Sequence, residues 1–133
     1  MTVVVDASAL VELLATGSCS DLVAARVRGA SHVWAPHLVD AEVGHALRAG
    51  VRRGELSASA AAERLDQLTR LRLHRAPHVD LLRAAWSLRD NVSFYDALYV
   101  ALAAALDAPL LTLDARLGAA PGLPAVVEVL TAP

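Results

Sequence analysis

The sequence predicts an α/β fold, a sandwich of helices around a mainly parallel sheet, and three observations carry that expectation. Val3–Val5 is a β-branched run without polar alternation, which suits a central strand covered on both faces. Along the rest of the chain, short apolar runs of strand length alternate with segments of helical period, the pattern that winds a parallel sheet. Acidic residues stand where apolar runs give way to turns or helix starts, and in such a sheet the crevice beyond the carboxyl ends of the strands receives ligands. With 133 residues the chain fits one domain, 1–133, able to bury roughly two thirds of its unfolded surface.

Each element follows from local chemistry. Asp6 ends the first strand, apolar residues recur at Leu10, Leu13 and Leu14 in a helix over Ala7–Ala15, and Gly17 stops it. Ser20 reads as the N-cap of a second helix through Arg28. Val33–Trp34 before Pro36 is a short strand. A long helix runs from about His37 to Arg53 and closes at Gly54, and another runs from Ser57 to about Leu71 with Ser57 or Ser59 as its cap. Leu73–Arg75 is a brief strand. Pro77 suits the first turn of a helix reaching about Arg89, with Leu81, Leu82, Ala85 and Trp86 turned inward. Ser93 to Leu106 is the most apolar helix and is expected at the centre. Leu110–Leu113 then forms a strand, Ala115–Leu117 a short helix, Pro121–Pro124 a turn and Val126–Leu130 the last strand.

Composition excludes several classes. Apolar residues make up 56% and charged residues 20%, and the mean hydropathy is +0.45, which together predict a packed globule. No apolar stretch reaches the ~18 residues of a membrane-spanning helix, so no membrane association is expected. No basic segment precedes the apolar start, so no secretory signal is expected either. The lone Cys19 agrees with a reducing cytoplasm. A net charge of −2 makes no global case for nucleic-acid binding. The basic side chains are nevertheless all arginine, clustered at Arg48, Arg52, Arg53 and at Arg70, Arg72, Arg75, and Arg is suited to phosphate. The absence of lysine removes Schiff-base, Walker-type and lysine-base chemistry.

Four carboxylates remain to be explained. Asp6 lies between a strand and a helix, where it can cap the helix or face the crevice, with Ser8 in the same turn. On the long helix, His37, Asp40, Gly44, Arg48 and Arg52 mark the solvent face, with Asp40 near Arg48, while Glu42 falls on the inner side with Leu38, Ala41, Ala46 and Ala49. An acid there needs a partner, an arginine or a cation. Asp96 is the one acid in the apolar helix, at capping-box spacing from Ser93. Asp114 follows LLTL, and Thr112 points to the same face. Together the four place negative charge on one edge, where a hard divalent cation would relieve their repulsion. Oxygen-only ligands favour Mg2+ or Mn2+.

The opening VVVDASALVELL, the middle APHLVDAEVGHALRAGVRRGELS, the helix SFYDALYVALAAAL and the closing LLTLDARL resemble the PIN-domain nucleases. The whole chain resembles the VapC-like toxins of type II toxin–antitoxin pairs. The resemblance implies a five-stranded parallel sheet flanked by helices and a metal-dependent endoribonuclease. It implies that Asp6, Glu42, Asp96 and Asp114 are the metal-binding and catalytic quartet, with Ser8 and Thr112 as supporting hydroxyls. It further implies an RNA substrate, a cognate VapB-like antitoxin covering the active-site groove, and a homodimer built through the sheet-flanking helices. One position departs from the family: His45 stands where members often carry Asn, and its imidazole can fill the same orienting role. The competing reading is a non-catalytic α/β interaction module whose acids are helix caps.

Overall fold

The computed structural model describes residues 1–132, so Pro133, the last residue of the expected 1–133 unit, lies outside the described residues. The strands are β1 (Thr2–Val5), β2 (His32–Pro36), β3 (His74–Ala76), β4 (Leu110–Thr112) and β5 (Val127–Val129). Between them lie α1 (Ala7–Ala15) and α2 (Ser20–Arg28), then α3 (Leu38–Arg52) and α4 (Ala58–Arg70), then α5 (Leu82–Ser87) and α6 (Phe94–Leu106), and finally α7 (Ala115–Ala119). All five strands are parallel, in the order β3-β2-β1-β4-β5, with Val3 opposite Val33 and Val5 opposite Leu111. The expected α/β class and five-stranded parallel sheet are both present.

Strand order decides where the helices go. Crossovers between parallel strands are right-handed, so the steps β1 to β2 to β3 carry α1–α4 over one face, and the reverse steps β3 to β4 to β5 carry α5–α7 over the other. The packing agrees: α1 touches α2, α3 and α4, whereas α6 packs on α5 and across β1, β2 and β4. Val3, Val4 and Val5 are fully buried between these layers, as their unbroken apolarity requires. Residues Ala97 to Ala103 of α6 are all buried, which is why that helix reads as apolar all round.

Several local expectations are corrected. The left-handed residue that ends α1 is Thr16, at φ 53°, and both Thr16 and Gly17 donate their amides to the Glu12 carbonyl. Gly17 serves a different end: a Cβ there would collide with the Glu12 carboxylate, which folds over to accept the Cys19 amide at 2.6 Å. That bond also displaces Ser20 from its expected capping role, since α2 begins at Ser20 and Cys19 precedes it without a side-chain cap. The helix expected from Pro77 to Arg89 is a 3-10 turn over Val79–Leu81 followed by the shorter α5. Leu81 and Ala85 face inward as expected, but Leu82 and Trp86 lie on the surface, Trp86 under the Arg89 guanidinium at 4.8 Å.

On α3 the buried stripe is Val39, Val43, Leu47 and Gly50, not Leu38, Ala41, Ala46 and Ala49. Large aliphatic side chains set the inward face, and small alanines adapt to either side. Glu42, about 60° to one side of Val39 on the helical wheel, therefore sits at the margin of the buried face. Asp40 is not held by Arg48; Arg75 reaches it from β3 in a two-pronged bridge of 2.7 and 2.9 Å.

A β-branched residue in the left-handed region carries strain of about 1–2 kcal/mol, against about 0.5–1 kcal/mol for the extra freedom of glycine in the unfolded chain. Thr16→Gly is therefore expected to stabilise the protein by up to about 1 kcal/mol, read as a higher urea midpoint; a lower midpoint would show that Thr16 is not strained.

Candidate functional site

The strand order reverses direction between β1 and β4, and the crevice of a doubly wound sheet opens at that point. Asp6 follows β1 and Asp114 follows β4. Asp96 enters from the first turn of α6 on one face, and Glu42 from the amino-terminal part of α3 on the other.

Asp6 is 7% exposed and carries a dense set of donors. Its Oδ1 accepts from the Ser8 hydroxyl at 2.6 Å and from the Ala9 amide at 3.0 Å, and Oδ2 accepts from the Thr112 hydroxyl. Ser8 Oγ accepts in turn from the Leu113 amide at 3.0 Å, and Thr112 Oγ1 accepts from the Asp114 amide at 3.0 Å. Each hydroxyl has one proton and spends it on Asp6, an arrangement made for a charged acceptor. Both Ser8 and Thr112 thus stand against Asp6, Ser8 as the shared turn suggests, and Thr112 although the sequence sets it on a strand face with Asp114. Burial still outweighs these donors and holds the Asp6 carboxyl above its ordinary value, with a small upward push from Asp96.

The other acids bear on one another as well. Glu42 is raised by burial and then by the charges of Asp96 and Asp6, against the lowering effect of Tyr99. Asp96 is raised by burial and by Asp114, against the Ser93 hydroxyl and Arg116. Asp96 and Asp114 line one shallow cavity with Asn91 and Arg116, and Glu42 lines another with Leu38, His45 and Tyr95. The quartet thus occupies one edge, yet among the described residues no three His, Cys, Asp or Glu side chains stand close enough to hold a metal ion by themselves. An oxygen-only set of this openness fits Mg2+ or Mn2+ better than zinc, because Mg2+ is bound through one or two carboxylates and keeps several waters.

Capping and convergence coexist here. Asp6 caps α1 through the Ala9 amide and Asp114 caps α7 through the Arg116 amide at 2.9 Å. Ser93, not Asp96, caps α6, accepting the Asp96 amide at 3.1 Å. Caps do not account for Glu42, and Asp96 lies in the first turn of α6 beside its capping Ser93. No arginine answers Glu42 among the described residues; its partner is Tyr99, whose hydroxyl donates to Oε1 at 2.6 Å. His45 is exposed and makes no hydrogen bond to Glu42 among the described residues. Sequence reasoning missed Tyr99, although the signal was present: a phenol three residues after Asp96 in a buried helix must find a partner for its hydroxyl.

Residues 3–123, the span that carries this sheet and all four acids, match the family model of the PIN domain. The chain belongs to the PIN-domain family. Among its relatives, Ribonuclease VapC1 of Mycobacterium tuberculosis is 53% identical over 127 residues, covering 95% of this chain and 96% of that protein. Ribonuclease VapC9 of the same organism is 43% identical over 116 residues, covering 86% and 87%. Among solved structures, PAE2754 from Pyrobaculum aerophilum aligns with a TM-score of 0.68 at 29% identity, over 96% of this chain and 83% of that one. VapBC2 from Rickettsia felis, solved with a DNA fragment from its promoter, aligns with a TM-score of 0.71 at 14% identity over 98% and 100%, a likeness of fold alone.

A carboxyl whose folded value is raised adds stability that is complete below its unfolded value and is lost as pH climbs through the folded one. Asp6, Glu42 and Asp96 are all raised, so the metal-free protein is expected to weaken as pH rises from the ordinary carboxylate range toward neutrality. Asp96→Asn should flatten that slope and raise the urea midpoint at pH 7. A lower midpoint for the variant at pH 7 would mean that the Asp96 charge is stabilising.

Proposed function

We propose that residues 1–133 act as a single PIN-like domain, a divalent-metal-dependent endoribonuclease that hydrolyses RNA phosphodiesters as the toxin of a toxin–antitoxin pair. The observation that supports this most is the set of acids at the switch point, of which Asp6, Glu42 and Asp96 are raised by burial and, in smaller part, by neighbouring acids, in a chain 53% identical to a named ribonuclease. Asp6 and Asp96 would hold the cation, with Glu42 and Asp114 completing the set directly or through water. A bound Mg2+ or Mn2+ supplies positive charge to the phosphoryl oxygens and lowers the pKa of water. Ser8 and Thr112 keep Asp6 charged and fixed. Glu42 or Asp114 takes the proton of the attacking water. Arg116, the exposed arginine beside Asp114, steadies the RNA backbone. Unpaired bases set the choice of site.

The partners follow from the same reading. A cognate VapB-like antitoxin covers the groove; VapC-named relatives and the VapBC2 structural neighbour support this. No single helix among the described residues is long and apolar enough to cross a membrane, and the reading puts the protein in the cytoplasm with its RNA. A homodimer would bury the surface apolar residues Val79, Leu82 and Trp86 beside α5. The alternative, a non-catalytic interaction module, draws on the capping roles of Asp6 and Asp114.

Purified protein is expected to cut single-stranded RNA with Mg2+ or Mn2+, to stop in a chelator, and to lose about 100-fold or more in rate with Asp96→Asn. Cleavage that survives the chelator, or equal cleavage by the variant, would overturn the assignment; no cleavage and no metal-dependent rise in melting temperature would leave the interaction module. For the dimer, Trp86→Asp should halve the mass measured by light scattering, and an unchanged mass would move the interface elsewhere.

A further inference from the structure

Tyr99 is 1% exposed, and its Oη donates to Glu42 Oε1 at 2.6 Å, a length typical of a bond to a charged acceptor. It stands one helical turn beyond Asp96 on α6, on the same side of that helix. Glu42 stands on α3, in the layer covering the opposite face of the sheet. The phenol therefore bridges the two helical layers across the carboxyl edge, and it makes the only hydrogen bond between α3 and α6 among the described residues. Neither group sits at a helix end, so capping does not explain the pair.

We propose that Tyr99 is a positioning residue for Glu42: its hydroxyl occupies Oε1, fixes the carboxylate and leaves Oε2 uncommitted for the cation or the attacking water. A half-buried Glu without that restraint would spread over several rotamers, and ordering it again would cost binding and rate. Tyr99 suits the task because it does not ionise at working pH. It remains a neutral donor. The pairing also makes α6 serve two acids, carrying Asp96 itself and holding Glu42 at a distance. The inference rests on the nuclease reading above and assigns a residue that reading leaves without a role.

The test compares the full chain with Tyr99→Phe, Glu42→Gln and the double variant. Three quantities are measured: kcat and KM on a single-stranded RNA, the Mn2+ concentration at half-maximal rate, and Mn2+ affinity by electron paramagnetic resonance without RNA. Tyr99→Phe keeps the buried ring and removes only the hydroxyl. It is expected to lower kcat or Mn2+ affinity by about 10- to 100-fold, the usual effect of losing a partner that orients a metal ligand, while KM for RNA stays unchanged. In the Glu42→Gln background it should cost nothing further, because the pair acts as a unit. If Tyr99→Phe does not fold, Tyr99→Met, which fills the buried site with a flexible apolar side chain and no hydroxyl, takes its place with the same expectation. Wild-type rate and Mn2+ response in Tyr99→Phe, or losses that multiply in the double variant, overturn the assignment. A wild-type chain that binds Mn2+ but cuts no RNA sinks the nuclease reading instead, and equal Mn2+ affinity with and without the hydroxyl then overturns the Tyr99 assignment as well.

Discussion

Keeping a charged carboxylate at the nearly buried end of the central strand is the constraint around which the rest of this structure is arranged. Asp6 has left most of its water behind, and a solitary ionised acid there would be costly. Three donors offset part of that cost: the Ala9 amide in the first turn of α1, a hydroxyl from the same turn, and a hydroxyl from β4. Those donors also bind the elements that carry them. Ser8 takes the Leu113 amide and Thr112 takes the Asp114 amide, so the start of α1 is tied to the end of β4. The two strands that flank the switch point are held in register by the same bonds that keep Asp6 charged.

The remaining acids gather there because the sheet changes direction. Strands to one side of the β1–β4 boundary are connected over one face and strands to the other side over the opposite face, so helix starts from both layers arrive at one crevice. Asp96 comes from one layer and Glu42 from the other. The result is a standing cost in the folded protein, chiefly of burial and in smaller part of mutual charge, visible in the raised values of Asp6, Glu42 and Asp96. Stability given up at a site is a common signature of function. The pattern is also specific in its chemistry: no lysine and no arginine bridge neutralises these three acids among the described residues. The charge is left for something else to balance.

The arginines separate accordingly. Arg75, foremost in one of the clusters the sequence offers for phosphate, is consumed by Asp40 and anchors α3 to β3. Arg26 is consumed by Glu128 and ties α2 to β5. Arg116 sits at the acidic edge, with an almost fully exposed side chain at 3.6 Å from Asp114. Its position, beside acids and open to solvent, is where a polyanion would approach.

Much of this was readable from residue order. The unbroken apolarity of Val3–Val5 and of Ala97–Ala103 placed the central strand and central helix, because burial on all sides leaves no polar position. The four acids were legible because each interrupts an apolar pattern where a turn or helix start begins, and Ser8 and Thr112 because they share a turn or a strand face with them. What the chain order did not reveal were the partners separated by many residues. Periodicity along α3 put Glu42 on the inner side, but its tie to Tyr99 spans 57 residues and crosses the sheet. Likewise Asp40 looked to Arg48 about two turns away on the same helix and found Arg75 in a neighbouring strand. Hydrophobic period reports which side of an element faces inward; only the assembled layers determine which polar atoms meet there, because hydrogen bonds depend on ångström-scale placement of groups from different elements.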